Sequence, residues 1–120
     1  MLQVQSTNLN FRTTLSPGNI GEIIRLHGVL YAREYGWGET FEAYVAEGLA
    51  KFVLNYNPER DRIWIAEHEG RIKGCIAIVG VSQTEAQLRW YLVHPDLRGR
   101  GLGKRLINEA VQFCSEHGYK

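Results

Sequence analysis

The chain has 120 residues, of which 44% are hydrophobic, and a formal net charge of +1. That length supports about one domain with a single core of sheet and helices, and the balanced charge lacks the basic excess of a domain that coats nucleic acid. No segment reaches the ~18 apolar residues of a membrane helix, and the first residues lack the long apolar run of a signal peptide. We therefore expect a cytoplasmic protein that does not act on a membrane.

A short strand and two helices are predicted for the first half of the chain. Residues 8–15 are a candidate strand, and Ser16 is predicted to be the N-cap of a helix that ends at Gly36. Thr40 is predicted to cap a second helix, whose apolar stripe runs up to the Asn-Pro pair at 57–58.

Three strand candidates follow. Residues 63–67 and 71–80 flank a turn-like His-Glu-Gly sequence and read as a β-hairpin. Residues 87–93 alternate in polarity, which predicts a third strand of the same meander. Regular alternation would place Leu88, Trp90 and Leu92 on one face, and Gln87, Arg89 and Tyr91 on the other.

The last element is predicted to be an amphipathic helix that ends at Gly118, a residue suited to the left-handed stop of a helix. It begins after the glycine-rich segment RGRGLGK, residues 98–104. Glycines let the backbone approach a ligand closely, and the first N–H groups of a helix lack intrahelical acceptors. Together with the helix dipole, these features predict a phosphate site. Four cations would strengthen it: Arg98, Arg100, Lys104 and Arg105.

Two common phosphate-binding motifs do not fit this segment. In the pattern GxxxxGK[ST], counting from Gly99 places Lys104 where the second glycine belongs. In the dinucleotide pattern GxGxxG, the third glycine would be Lys104 or Leu106, and the preceding strands read as an antiparallel meander.

A different motif does fit. Leu92-Val93-His94-Pro95 ends the last predicted strand, and Arg98, Gly101 and Gly103 follow before the amphipathic helix. With these residues the chain resembles the GNAT superfamily of acyl-CoA-dependent N-acetyltransferases, and the resemblance extends over most of its length. It implies an α/β fold with a mixed, largely antiparallel sheet and flanking helices, in the order strand, two helices, three strands and helix.

The resemblance also implies a function and a set of binding residues. Family members hold the pyrophosphate of acetyl-CoA on the backbone amides of this turn, and the preceding strand contacts the thioester end. The implied acetyl-CoA-binding residues are Leu92, Val93, Arg98, Gly99, Arg100, Gly101, Leu102, Gly103 and Lys104. The implied reaction is acetyl transfer to a small-molecule or peptide amine by direct attack, without a metal. A non-catalytic acyl-CoA-binding or sensor module within a larger protein is the alternative.

The general base is not assigned. Many family members use a carboxylate at the position that aligns with Gln87, whose amide cannot take a proton at neutral pH. Glu85 lies two residues earlier. Tyr91 would share a face with Gln87, but a phenol is a poor base near neutral pH. Ordered water acting on a partly neutral amine is an equally reasonable account.

Aromatic residues and glutamates surround the connection between the two predicted helices, a region that borders the acceptor pocket in the family. Such a mixture suits an ammonium group bound by cation–π contact, although packing is the favoured interpretation for most of these residues. They are Tyr31, Tyr35, Trp37, Phe41 and Tyr44, with Glu34, Glu39 and Glu42.

Family members continue beyond the final helix with further strands. We therefore expect residues 1–120 to be a single N-acetyltransferase-type domain that is incomplete at its C-terminus. Either a longer chain or a second copy in a homodimer would supply the other wall of the thioester cleft.

Overall fold

A computed structural model describes residues 9–119. Within them the chain forms two compact units, residues 15–57 and residues 9–14 together with 58–119. The first unit contains two α-helices, and the second contains a sheet, a short 3₁₀ helix and one α-helix.

The first helix, α1, spans Asn19–Tyr35 and begins later than predicted. Ser16 is not its N-cap, because Ser16 lies in a turn in which its N–H donates to Asn19 Oδ1 at 2.7 Å and its carbonyl accepts from the Asn19 N–H at 3.0 Å. Gly18 occupies the N-cap position instead, with φ of 96°. The predicted stop is confirmed, since Gly36 adopts a left-handed conformation and its N–H donates to Ala32 O.

The second helix, α2, spans Glu39–Leu54 and packs against α1. Its N-cap is Gly38, so Thr40 lies inside the first turn rather than before it. The helix ends at Leu54, ahead of the predicted Asn-Pro stop. Four buried side chains on the two helices are Ile23, Leu30, Val45 and Leu49.

The second unit is built on a four-stranded antiparallel sheet in the order β1-β2-β3-β4. The strands are β1 Leu9–Arg12, β2 Arg62–His68, β3 Arg71–Gly80 and β4 Ala86–Val93. The predicted hairpin is confirmed: His68 pairs with Arg71, and the two residues between them both have positive φ, 55° at Glu69 and 78° at Gly70. Two such residues form the tight turn that suits the twist of a hairpin.

The third helix, α3, spans Leu102–Glu116 and packs against the sheet. A short 3₁₀ helix, Pro95–Leu97, precedes it, and Gly118, with φ of 81°, follows its last turn as predicted. The α/β class and the predicted order of elements are confirmed. The core between sheet and helix includes Trp64, Ala66, Ile76, Ile78, Leu106, Ala110 and Phe113.

Strand β4 contains a β-bulge that the alternation of its sequence does not reveal. Between the pairs Ala77–Arg89 and Cys75–Leu92, β3 has one residue and β4 has two. Trp90 lies at the bulge with φ of 50°. Its carbonyl accepts a hydrogen bond from the Cys75 thiol at 3.0 Å, which anchors the bulge to the neighbouring strand.

The bulge changes which residues of β4 share a face. Trp90 and Leu92 are buried, as expected for residues of an apolar face, but Leu88 is 50% exposed. The prediction that these three share one face is wrong, because one inserted residue reverses the alternation of the side chains that follow it.

Candidate functional site: the turn between β4 and α3

Two glycines give the turn a backbone path that other residues rarely follow. Gly99 has φ of 80° and Gly101 has φ of 84°. An L-residue is strained in this left-handed region because its Cβ approaches the following carbonyl oxygen. Gly101 is also the N-cap of α3, and no side chain caps the helix there.

The start of α3 therefore presents backbone donors. Its first helical hydrogen bond runs from the Arg105 N–H to Gly101 O at 3.0 Å. The N–H groups of Leu102, Gly103 and Lys104 have no acceptor within the helix, and its first turn has no acidic residue. Three aligned donors at the positive end of a helix dipole favour a bound anion.

The cations around this turn are held differently from one another. Arg100 and Lys104 are exposed beside the helix start. The Arg105 guanidinium lies 3.6 Å from the centroid of the Phe11 ring, so it is directed towards β1. Arg98 donates through Nε to Val93 O at 2.9 Å, and this bond ties the turn to the end of β4. The predicted contact of Arg98 with phosphate stays a prediction, and the structure shows its bond to the Val93 carbonyl.

Gly103 does not have a positive φ, so its relevance to the site is the space that it leaves and not its backbone conformation. A Cβ on Gly103 would overlap the hydroxyl oxygen of Tyr91 and lie 3.5 Å from Val93 Cγ2. The first turn of α3 therefore lies directly against two side chains of β4, a contact that joins the strand to the turn's backbone donors.

The end of β4 exposes a backbone donor at the outer edge of the described sheet. The His94 N–H donates to Lys73 O at 2.7 Å, so the next pair along the ladder, Gly74 with Val93, is a non-hydrogen-bonded pair. The Val93 N–H and carbonyl consequently face away from β3. Arg98 donates a hydrogen bond to the Val93 carbonyl. The Val93 N–H is directed to the edge of the sheet at which the family resemblance implies the thioester.

The two candidate catalytic residues lie on opposite faces of the sheet. Gln87 pairs with Val79, which lies on the other face of β3 from the core residue Ile78. Gln87 is thus on the face away from α3, whereas the Tyr91 hydroxyl touches Gly103 of α3. The prediction that they share a face is wrong, and the bulge between them is the reason.

Neither cysteine is suited to a nucleophilic role. Burial raises the pKa of the Cys75 thiol to about 12 and also raises the pKa of Cys114. Both thiols are free of disulfides and stay protonated near neutral pH, whereas the thiolate is the reactive form. This chemistry agrees with a direct attack that needs no acyl-cysteine.

Among residues 9–119, α3 adjoins at least two cavities, and the sequence predicts neither, because their walls come from segments far apart in the chain. One, of about 200 Å³, lies beside the helix start and is lined by Leu9, Phe11, His68, Leu97, Arg100, Gly101, Leu102 and Arg105. The other, of about 400 Å³, lies between β4 and the second half of the helix. Its lining is Ile78, Ala86, Leu88, Ala110, Val111, Cys114, Ser115 and Tyr119.

Four aromatic residues around the connection between α1 and α2 form one cluster: Tyr31, Tyr35, Trp37 and Phe41. The Tyr31 ring lies 4.7 Å from Phe41 and 5.4 Å from Trp37, centroid to centroid, and it stacks on His27. Tyr35 and Trp37 are exposed. These contacts suit packing of the two helices, and ammonium binding at this cluster stays a prediction.

The sequence and the fold both match known acetyltransferases. A sequence model described as the Acetyltransferase (GNAT) family matches residues 29–120. An uncharacterized N-acetyltransferase of Chlorobaculum tepidum is 30% identical over 79 residues, which cover 64% of this chain and 51% of that protein. The chain spans about half the length of the curated relatives it matches.

Solved structures show the same fold at lower identity. The crystal structure of an acetyltransferase from Streptococcus agalactiae superposes with a TM-score of 0.72 at 17% identity, covering 93% of this chain and 69% of that one. PaiA N-acetyltransferase from Thermoplasma acidophilum, in complex with coenzyme A, gives 0.68 at 19% identity and covers 92% and 74%.

Proposed function

Because this chain belongs to the acetyltransferase (GNAT) family, we propose that it transfers an acetyl group from acetyl-CoA to a primary amine of a small molecule or peptide. The observation that carries the proposal is the pair of left-handed glycines, Gly99 and Gly101, which opens α3 with three unsatisfied N–H groups. A pyrophosphate is an anion of the right kind for such a site.

Each part of the turn has a role in this proposal. The N–H groups of residues 102–104 bind the pyrophosphate, and Arg100 and Lys104 add charge-assisted hydrogen bonds. Arg98 holds the turn to β4 through the Val93 carbonyl. Leu92 and Val93 then run beside the arm that carries the thioester.

The transfer requires a neutral amine. Its nitrogen forms a bond to the thioester carbonyl carbon, the carbon–sulfur bond breaks, the nitrogen loses a proton and the leaving sulfur gains one. The outward-facing Val93 N–H is the donor that would stabilise negative charge on the carbonyl oxygen. Gln87 is not a base, so we propose that water receives the proton.

Calorimetric titration with acetyl-CoA tests the site, with adenosine bisphosphate as a control for simple phosphate attraction. Gly101→Val should abolish binding, because a side chain there fills the ligand's approach and strains the backbone. Gly118→Val is the matched control: Gly118 lies at the other end of α3 with φ of 81° and, like Gly101, has no neighbour within 4 Å of an added Cβ. The control should lose similar stability yet bind acetyl-CoA.

Turnover tests the reaction itself. Release of free thiol from acetyl-CoA in the presence of a panel of primary amines should exceed the rate without amine. Saturable binding with no turnover for any amine would favour the non-catalytic acyl-CoA-binding module. Failure of a folded sample to bind acetyl-CoA would contradict both functions.

A further inference from the structure

Tyr91 reaches the start of α3 because of the bulge in β4. The residue inserted at the bulge turns Tyr91 from the face of Gln87 to the face on which α3 packs. Its hydroxyl oxygen then lies close enough to the Cβ position of Gly103 to overlap with an atom placed there. Tyr91 is 36% exposed, so the ring is packed on one side and open to solvent on the other.

The hydroxyl lies on the ligand side of the helix start. Every Cα–Cβ bond of an α-helix tilts towards the N-terminus of the helix. The Cβ position of Gly103, against which the hydroxyl lies, is therefore inclined to the N-terminal side of that residue. The unsatisfied N–H groups of Leu102, Gly103 and Lys104 point in the same direction.

The hydroxyl is also uncommitted. Across residues 9–119, the Tyr91 hydroxyl makes no hydrogen bond to another side chain or to the backbone. Because the side chain is 36% exposed, its O–H can donate to water or to a ligand. Near the three backbone N–H groups it can act as a fourth donor to the same anion.

We propose that Tyr91 is a ligand-binding residue whose hydroxyl donates a hydrogen bond to a phosphate oxygen of CoA at the start of α3, and that residue 103 is glycine to leave room for it. This inference rests on the proposed function, since it requires CoA to bind at this turn. It assigns Tyr91 to binding rather than to proton abstraction, the role considered for it from the sequence.

Tyr91→Phe should weaken CoA binding about 10-fold or more, the loss expected for one hydrogen bond to a charged group. Calorimetric titration with CoA measures it. Pantetheine, which has the same arm but no phosphate, is the matched ligand, and its affinity should not change.

Gly103→Ala and the double variant separate binding from packing. The alanine methyl would collide with the Tyr91 hydroxyl, so Gly103→Ala alone should lower the midpoint of urea unfolding. Removing the hydroxyl relieves the collision, because the ring carbon Cζ stands 3.6 Å from the added Cβ, an ordinary contact. The double variant should therefore regain stability but bind CoA no better than Tyr91→Phe.

The outcomes are distinct. If Tyr91→Phe binds CoA as tightly as the unaltered protein, or if the double variant regains full affinity along with its stability, Tyr91 only packs and the inference is overturned while the proposed function stands. If the unaltered protein does not bind CoA, both fail.

Discussion

His27 has a buried ring nitrogen that finds no partner in residues 9–119. The side chain is 2% exposed, and Nδ1 lies 2.9 Å from Ile23 O. A carbonyl oxygen only accepts, so Nδ1 is assigned the proton, and Nε2 is left as an acceptor without a donor. Burial is the main cause that lowers the pKa of His27, and its bond to Ile23 opposes the shift. The ring is therefore neutral near pH 7.

This burial predicts a pH dependence of stability. In the unfolded chain His27 takes up a proton as the pH falls through 6.5, its ordinary pKa, whereas in the folded protein it does so only at lower pH. The part of the unfolding free energy that depends on a neutral His27 is thus fully present above pH 6.5. It is lost as the pH falls below 6.5, with a slope of at most about 1.4 kcal/mol per pH unit for one proton.

Urea unfolding of the unaltered protein and of His27→Gln, between pH 7.5 and 5, measures the effect. The difference in unfolding free energy between the two should change with pH only below 6.5. The Arg12–Glu67 ion pair does not interfere, because the hydrogen bond from Arg12 lowers the pKa of Glu67 below 4.5 and its contribution is lost only at more acidic pH. A constant difference across the range would contradict the assignment of a neutral, buried histidine.

At the scale of elements, the β2–β3 hairpin carries a strained residue. Glu69 adopts φ of 55° in a two-residue turn that favours Asn followed by Gly. Asparagine visits the left-handed region more readily than glutamate does. Glu69→Asn should therefore raise the free energy of unfolding by about 0.5–1 kcal/mol.

Urea unfolding measures this change too, with Glu69→Ala as the control. Alanine removes the same carboxylate but keeps the backbone strain, so it should not stabilise the protein. An equal gain in both variants would show that the charge, and not the turn, was responsible.

The elements differ in how well their sequences predicted them. The hairpin, the stop of α1 at Gly36 and the turn into α3 were predicted because glycines and short-range patterns mark them locally. The start of α1 was misplaced because the Asn19 side chain accepts a hydrogen bond from the Ser16 N–H. The spacing of the residues does not reveal this contact. The bulge was missed because it is defined by the pairing of β4 with β3.

At the scale of the molecule, an apolar groove runs beside the outer edge of the described sheet. Leu88 is 50% exposed and Val111 is 59% exposed, and both line the cavity of about 400 Å³. Open strand edges next to apolar surface promote association between chains.

A second copy in a homodimer is one of the two ways in which the cleft could be completed, and if the groove is that contact, Val111→Lys should weaken self-association. A valine buried in a contact contributes about 1.5–3 kcal/mol, which corresponds to roughly 10- to 100-fold in a dissociation constant. Sedimentation velocity over a range of concentrations measures it. Asn108→Lys, the same charge on an exposed residue of the same helix that does not line the groove, is the control. Equal sedimentation of the two variants would exclude the groove as the contact.

The sequence alone determined the family, the order of elements and the place of the glycine-rich turn, because glycines and apolar periods act over a few neighbouring residues. Only the tertiary structure decided what surrounds that turn: the face of Tyr91, the space required at Gly103 and the bond from Arg98 to Val93. These depend on strand register and on the contact of β4 with α3. One inserted residue at Trp90 reverses the face of the side chains that follow it in β4. No local sequence pattern shows how β4 will pair with β3.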